Sequence, residues 1–323
     1  IGARGLAGAG AAMIFPATLA TITSAFPVEK RGRAVGVWVA SASTGGILGI
    51  LAAGALVEEL WYGSIFVATG VGALVCLAVT LALVPDTSDP EHAHLDPPGA
   101  LLSVVAVGGL VFGVTEGPVR GWTSTPTLVA LLLGVLGCAG FVLQELRTAR
   151  PLLDVRLFRH RAFTAGAVSV FLQFFAGFGF LFVAAQYLAL IRGYDPLQTG
   201  LAFLPLGVLV VPLSSQGTRL ADRFGRGAVG GVGLGAFAVG FATLATLEPG
   251  SSYVRFLVGI LIFGAGMALS APPATEAIVE ALPVAKQGVA SAINDVAREL
   301  GGALGIAALG SAFNASYRGA IAD

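Results

Sequence analysis

Three charged residues stand close together in an otherwise apolar stretch near the end of the chain. Asp295, Arg298 and Glu299 occupy i, i+3 and i+4 positions, so a helix would place them on one face. They can form an internal salt bridge that fixes helix packing, or they can line a water-filled cavity and take part in proton coupling. Both interpretations stay open, because the choice depends on the solvent around the helix.

The composition indicates that this solvent is lipid. Hydrophobic residues make up 56% of the 323 residues and charged residues 11%, whereas a soluble domain has about 25% charged residues. Lys and Arg number 18 and balance the 18 Asp and Glu, so the net charge gives no indication of a nucleic-acid partner. The two cysteines give neither a disulfide framework nor a metal-ligand spacing, and we expect no metal site.

Ten apolar runs are long enough to cross a bilayer, and helix is the form that satisfies their backbone in lipid. The runs cover residues 2–26, 34–56, 64–84, 99–115, 125–146, 163–190, 199–215, 228–247, 254–282 and 288–313. Twelve Lys and Arg residues lie in loops on one side and four on the other, which places the richer side in the cytoplasm. The sequence therefore predicts an all-α, multi-pass protein of the inner (plasma) membrane.

The loops suggest a division into five segments. Residue Ile1 already lies in an apolar run and is not Met, so we expect a fragment whose front is missing. The predicted segments are three helix groups (1–84, 99–146 and 163–323), joined by an acidic, Pro-rich cytoplasmic linker (85–98) and a basic amphipathic cytoplasmic linker (147–162).

Ionisable residues inside the runs are the functional candidates, because a charge in the bilayer core is costly. Glu276 follows Pro272 and Pro273, which we expect to end or kink the ninth helix. A broken helix with a carboxylate is a recurring transporter device, although a helix that merely bends at the surface is the alternative. The candidates for a proton relay or a cavity lining are Arg4, Glu276, Asp295 and Arg298.

Other residues of the runs bear on helix packing. Gln173 either hydrogen-bonds another helix or faces a pathway. Gly301 and Gly305 have the G-x-x-x-G spacing that favours close packing on a neighbouring helix. The phenylalanines of the sixth run pack against protein or lipid, or line a pocket for flat apolar molecules.

The sequence contains no nucleotide-binding loop of the G-x-x-x-x-G-K-[ST] kind, no H-E-x-x-H and no G-x-S-x-G. We therefore expect a protein that is not an enzyme and that binds no cofactor. Uphill transport would have to use an ion gradient.

Six stretches carry a family resemblance, in the same order as in that family. They are residues 4–38, 43–66, 153–163 (LDVRLFRHRAF), 186–205, 218–226 (TRLADRFGR) and 272–313. Together they resemble the major facilitator superfamily, and within it the fourteen-helix drug:proton antiporter branch, the EmrB/QacA-like exporters. The ten runs are similar to helices four to thirteen of that branch, without the first three helices and the last. The resemblance implies that residues 1–84 are the rest of the N-terminal helix bundle, 99–146 two inserted transmembrane helices, and 163–323 an incomplete C-terminal bundle.

The resemblance implies two helix bundles that rock around a central cavity while carboxylate protonation trades with substrate. It implies a proton-relay or charge-balance role for Arg4, which matches the basic residue of the helix-four motif. It also assigns an antiporter-motif helix to Gly45, Gly49 and Gly54. The cytoplasmic gate loop that it implies consists of Asp222, Arg223, Gly225 and Arg226.

Two positions depart from the family pattern. Ala7 stands where the family usually has Gln, and Ile50 follows Gly49 where the family has Pro. The expected function is export of amphipathic drugs or a secreted metabolite across the cytoplasmic membrane, in exchange for protons, by a monomer in the lipid bilayer. The alternatives are a facilitator without proton coupling, which the two departures favour, and an inactive transporter-like membrane scaffold.

Overall fold

The computed structural model describes residues 2–25, 45, 48–49, 51–84, 96–149, 151–248, 250–281 and 287–322, and its regular structure is helical throughout these residues. Its ten long helices are α1 (Gly2–Ala25), α2 (51–59), α3 (Ser64–Leu83), α4 (Pro97–Arg120), α5 (Thr125–Arg147), α6 (Arg161–Gln186), α7 (Pro196–Phe224), α8 (Arg226–Leu244), α9 (Tyr253–Glu280) and α10 (Gln287–Ala322). A short π-helical segment, Tyr187–Ile191, continues α6.

Seven of the described helices, α3 to α9, are long and apolar enough to cross a membrane. Their outward residues are large and apolar; Leu74 and Leu81, for example, are 67% and 78% exposed. Such side chains are stable on a surface only if that surface faces lipid, because a soluble protein seldom exposes large contiguous apolar patches. The predicted all-α, multi-pass fold is confirmed.

Helices α4, α7 and α10 extend beyond their predicted bounds, and α10 continues to Ala322 instead of ending near residue 313. Helix α4 continues through Pro118 to Arg120 instead of ending near residue 115, so Glu116 lies within the helix and forms an ion pair with Arg120. Helix α7 extends to Phe224, well beyond residue 215.

Helix α9 runs through both Pro272 and Pro273, so of the two predicted effects of these prolines, an end or a kink of the helix, the end is not observed. Each proline removes one N–H donor, but packing against neighbouring helices keeps membrane helices continuous across such positions. Ala274 and Ile278, which follow the prolines, are buried in the bundle core and hold the last turns in place.

The chain forms two compact units. The second consists of His94–Tyr194 and Pro205–Asp323. In it α8 packs on α9, α6 on α10 and α9, and α4 on α5 and α10. Glycines allow the backbones of neighbouring helices to approach each other closely at these crossings. A Cβ atom at Gly240, for example, would lie 2.4 Å from the Phe263 backbone nitrogen. Close approach of this kind is the main source of packing energy between helices in lipid.

The described part of the predicted amphipathic linker folds onto the second unit. Residues Val155–Arg159 form a 3₁₀ helix whose N-cap is Asp154, which accepts a hydrogen bond from Arg156 N. Leu157 is 7% exposed and packs in a core with Phe163, while Leu153 packs against the same core. This segment therefore anchors the chain between α5 and α6 to the protein.

The first unit consists of Ile1–Ala93 and Asp195–Leu204. Gly54 is buried there, and a Cβ atom at this position would lie 2.9 Å from the Pro196 carbonyl oxygen. Ser64 Oγ donates a 3.0 Å hydrogen bond to the Leu56 carbonyl and fixes the turn between α2 and α3. Most of the predicted run 34–56 lies outside the described residues.

Candidate functional site

A buried polar row joins α6 to α9 in the interior of the second unit. Gln173 and Ser270 are each 2% exposed. Ser270 Oγ lies 2.6 Å from Gln173 Oε1 and 2.8 Å from the Gly266 carbonyl, and its one hydrogen can serve either acceptor. Gln173 Nε2 donates to Ser169 Oγ at 2.9 Å. Of the two interpretations of Gln173, the hydrogen bond to another helix is the one observed.

A second polar contact joins α9 to α10 nearer the Lys- and Arg-rich end. Thr275 Oγ1 donates a 3.0 Å hydrogen bond to Asn294 Oδ1, and Asn294 is 6% exposed. This contact places Asp295, the next residue on α10, at the edge of the polar region. Asp295 is half-buried.

Asp295 and Arg298 form no ion pair with each other, so the internal salt bridge, one of the two interpretations left open above, is not observed between them. Arg298 instead places its guanidinium carbon 4.7 Å from the centre of the Phe174 ring, and that ring stacks on Phe178. Within the described residues neither Asp295 nor Arg298 has an ion-pair partner. The long arginine side chain reaches across to α6, where a cation–π contact replaces the interaction along the helix. Glu299 is exposed.

The predicted gate loop is a single tight turn between α7 and α8. Gly225 is its corner, with φ at +88°, a backbone conformation that glycine adopts without strain. Arg226 begins α8, and its Nε lies 3.0 Å from Glu276 Oε2 on α9 without the alignment of a hydrogen bond. Two candidates that are distant in sequence, Arg226 and Glu276, are therefore brought together as a partly exposed ion pair.

The other gate-loop residues are exposed. Arg223 lies 5.4 Å from the centre of the Phe224 ring. Asp222 has no hydrogen-bond or ion-pair partner among the residues that the structure describes, and the loop before α10 (282–286) lies outside them. The gating role of Asp222 stays a prediction.

The remaining candidates lie in the first unit. The side chain of Arg4 lies outside the described residues. Gly45 and Gly49 have helical backbone, and no atom of the described residues lies within 4 Å of where their Cβ atoms would stand, in contrast to the crowded Gly54. The antiporter-motif assignment of these glycines stays a prediction.

Phenylalanines fill the crossing of α6, α8 and α9. The Phe263 ring lies 4.9 Å from Phe237 and 5.1 Å from Phe180, while Phe241 contacts Phe180 at 5.4 Å. At this crossing the rings pack on one another, which favours the packing interpretation of Phe180 over a pocket lining.

The opposite end of α6 is fastened to the turn between α8 and α9. Tyr187 Oη donates to the Glu248 carbonyl at 3.1 Å, and Arg192 donates to the Ser251 carbonyl. The hydrogen bond of Arg192 to Tyr187 and the neighbouring Tyr194 phenol raise the pKa of Arg192, against a smaller lowering by burial, so Arg192 remains charged. These contacts fix the π-helical end of α6.

Sequence reasoning missed two buried carboxylates. The predicted cytoplasmic linker 85–98 includes Asp96, and no sequence pattern singles out Glu145. The two residues are nevertheless only 8% and 2% exposed. The signal for Asp96 was present, because Asp followed by Pro97 is a typical start of a helix. Glu145 has no comparable local signal.

A helical protein with seven or more membrane-length helices, glycine-packed crossings and buried polar contacts between helices belongs to the multi-pass integral proteins of the cell membrane. Within that class, the chain belongs to the Major Facilitator Superfamily, whose pattern matches residues 1–306. This is a family of transporters, and the expectation that the chain is not an enzyme agrees with it.

The chain is similar to several curated proteins. It is 39% identical to the Multidrug resistance protein Stp of Mycobacterium tuberculosis over 311 residues. The aligned region covers 96% of this chain and 58% of that protein. It is 32% identical to the Multidrug efflux pump LfrA of Mycolicibacterium smegmatis, over 98% of this chain and 63% of that protein. It is 34% identical to the Methyl viologen resistance protein SmvA of Salmonella typhimurium, over 99% of this chain and 65% of that protein. The chain thus spans less than two thirds of the length of these relatives.

Proposed function

We propose that the protein exports amphipathic drugs, or a secreted metabolite, across the cytoplasmic membrane in exchange for protons. It would belong to the fourteen-helix drug:proton antiporter branch of the superfamily. The observation that carries the proposal is the similarity, over nearly the whole chain, to proteins named for multidrug resistance or efflux. The name of SmvA, methyl viologen resistance, supports a flat organic cation as one substrate class.

The ion pair between Arg226 and Glu276 supports a gating role for the turn between α7 and α8. The pair is partly exposed, with side-chain exposures of 41% and 27%. An exposed ion pair is weak, on the order of 0–1 kcal/mol, so it can break and re-form during a transport cycle. Asp222 and Arg223, on the same turn, would complete the gate.

Asp295 is the described residue best placed for proton coupling. It is half-buried, lies beside the Thr275–Asn294 contact and has no ion-pair partner among the described residues. A carboxylate locked to an arginine would resist protonation, so the absence of a pair with Arg298 favours coupling over a structural salt bridge. Arg4 would act in charge balance.

A facilitator without proton coupling is the second candidate. Ala7 and Ile50 stand where the family has Gln and Pro, and these departures favour it. An inactive scaffold is the third, and it requires that substrate not be moved at all.

Uptake of a lipophilic cationic dye into inverted membrane vesicles that carry the protein separates the three candidates. Accumulation that needs a proton gradient and collapses with a protonophore supports antiport. Equilibration of dye without a gradient supports the facilitator, and no movement of dye supports the scaffold.

Variants in the same vesicles test the individual roles. We expect Asp295→Asn to leave membrane accumulation normal and to flatten the pH dependence of transport, with Glu299→Gln on the same helix as the control. We expect Asp222→Asn to lower transport without loss of insertion. Unchanged transport in both variants would contradict the assigned roles.

A further inference from the structure

A cluster of arginines lies between α5 and α6, at the level where both helices meet the membrane surface. Helix α5 ends at Arg147 and helix α6 begins at Arg161, and both are long and apolar enough to span a bilayer. Residues 145–161 contain five arginines and two acidic residues. The distribution of Lys and Arg places this segment on the cytoplasmic side, so its arginines lie at the height of the lipid headgroups of that leaflet.

The two acidic residues do not neutralise the arginines. Glu145 is 2% exposed, and its Oε2 accepts a hydrogen bond from Leu153 N at 2.9 Å. Asp154 accepts one from Arg156 N at 3.1 Å as the cap of the 3₁₀ helix. Within the described part of the chain neither carboxylate forms an ion pair with an arginine. The exposed surface of the segment therefore carries a net positive charge.

The 3₁₀ helix Val155–Arg159 turns its arginines away from the protein. Leu157 packs in the core of the helix bundle together with Phe163. A 3₁₀ helix has three residues per turn, so Arg156 and Arg159 share one face, and this face is distinct from that of Leu157. Both arginines are exposed. The buried leucine thus fixes which way the guanidinium groups point.

Two further contacts hold the segment in this orientation. The Arg156 guanidinium donates a 3.0 Å hydrogen bond to the Leu146 carbonyl at the end of α5. The Phe158 ring packs edge-on against Phe163 of α6, with 5.3 Å between the ring centres. Because the backbone is already ordered, a ligand that binds here loses little affinity to the ordering of the protein.

Exposed apolar side chains accompany the arginines. Leu152 is 49% exposed and Phe158 is 38% exposed. Apolar and cationic side chains on one short segment are typical of a structure at the boundary between headgroups and acyl chains, where the first enter the lipid and the second contact phosphate. An inorganic anion in water would pair with the arginines but would not cover the apolar side chains.

We propose that this segment is a binding surface for the headgroups of anionic phospholipids, formed by Arg147, Leu152, Arg156, Phe158, Arg159 and Arg161. Guanidinium groups form paired hydrogen bonds with phosphate oxygens, and the positive charge favours anionic over zwitterionic lipid. Because Leu157 of the same segment packs in the bundle core, bound lipid would hold this end of α6 at the membrane surface. The surface does not depend on the proposed drug export.

A tryptophan reporter in reconstituted vesicles tests the proposal. Phe158→Trp is introduced into the full chain after Trp38, Trp61 and Trp122 have been replaced by Phe. Quenching of its fluorescence by brominated phosphatidylglycerol is compared with quenching by brominated phosphatidylcholine. We expect the anionic lipid to associate about fivefold more strongly or better, which is the effect of one arginine near an anionic surface. At about 1 M NaCl the preference should shrink, because the screening length falls to roughly 3 Å.

Two triple variants locate the surface. Glutamine at positions 147, 159 and 161 should abolish the lipid preference, whereas lysine at the same positions keeps the charge and should keep most of the preference. Equal quenching by the two lipids in the reporter chain would show that the arginines only orient the chain in the membrane, and would overturn the proposal. A preference that survives the glutamine substitutions or high salt would also overturn it. If the glutamine variant does not accumulate, the lipid preference of the reporter chain and its salt dependence decide.

Discussion

Replacement of Gly305 by alanine should loosen the crossing of α6 and α10. A Cβ atom at this position would lie 2.0 Å from the Phe175 carbonyl oxygen and 2.7 Å from its carbon, whereas Cβ contacts under 3.0 Å are essentially never observed. The obstacle is backbone, which cannot rotate away as a side chain can. The two helices would have to separate by about 1 Å at this point, and overpacking of this kind costs roughly 1–3 kcal/mol.

Gly302 provides a matched control on the same helix. A Cβ atom there would meet Phe178 Cγ at 3.4 Å, an ordinary contact with a side chain. Alanine is a better helix former than glycine by roughly 1 kcal/mol, so Gly302→Ala should be neutral or mildly stabilising. For Gly305→Ala the same gain offsets part of the steric cost, so its net loss is at most about 2 kcal/mol, and the two variants differ by the steric cost of roughly 1–3 kcal/mol.

Thermal unfolding of the purified protein in detergent, followed by circular dichroism, measures the difference. A difference of about 1–3 kcal/mol separates the Tm values of the two variants by roughly 2–12 °C for a chain of a few hundred residues. Equal Tm values for Gly305→Ala and Gly302→Ala would refute the reasoning, because they would show that the backbone of α10 does not approach α6 as closely as described.

Three further predictions concern the second unit. Gln173→Leu should lower the free energy of unfolding by about 0.5–1.5 kcal/mol, because it removes the hydrogen bond between α6 and α9 while the Ser270 hydroxyl keeps the Gly266 carbonyl as an acceptor; unfolding in denaturant checks this. Gly225→Ala should cost about 1–2 kcal/mol through its positive φ, measured as a lower Tm, and a neutral result would argue against this turn. Exchange of Asp295 and Arg298 for one another should not restore the pH dependence of transport that Asp295→Asn loses; restoration would indicate an ion pair.

The sequence was sufficient to predict the helices because the apolar runs are long and their composition is distinctive. The close packing predicted for Gly301 and Gly305 is also confirmed: a Cβ atom at Gly301 would lie 2.4 Å from the Phe171 carbonyl. In both cases the information is local, being a run of apolar residues or a fixed spacing on one helix face.

Partners of side chains were harder to predict, because they depend on which helices meet. The local spacing allowed an ion pair between Asp295 and Arg298. At the α6–α10 crossing, however, the Arg298 guanidinium contacts the Phe174 ring. Helix α5 brings Glu145 beside Asp96, and no spacing within either segment indicates that contact. The Arg226–Glu276 pair joins a residue of the predicted gate loop to an ionisable residue of an apolar run, and no sequence pattern indicated that the two meet.

The two prolines in α9 separate that helix into two segments that can unfold independently of each other. Pro272 and Pro273 have no N–H, so the helical hydrogen-bond ladder lacks two successive rungs at this point. Before the gap, Gly266 lies against the Phe237 backbone of α8; after it, the Ala274 carbonyl lies against α6 at Gly166. Local unfolding of the last turns therefore need not spread into the first segment, and amide exchange should resolve two levels of protection along one continuous helix.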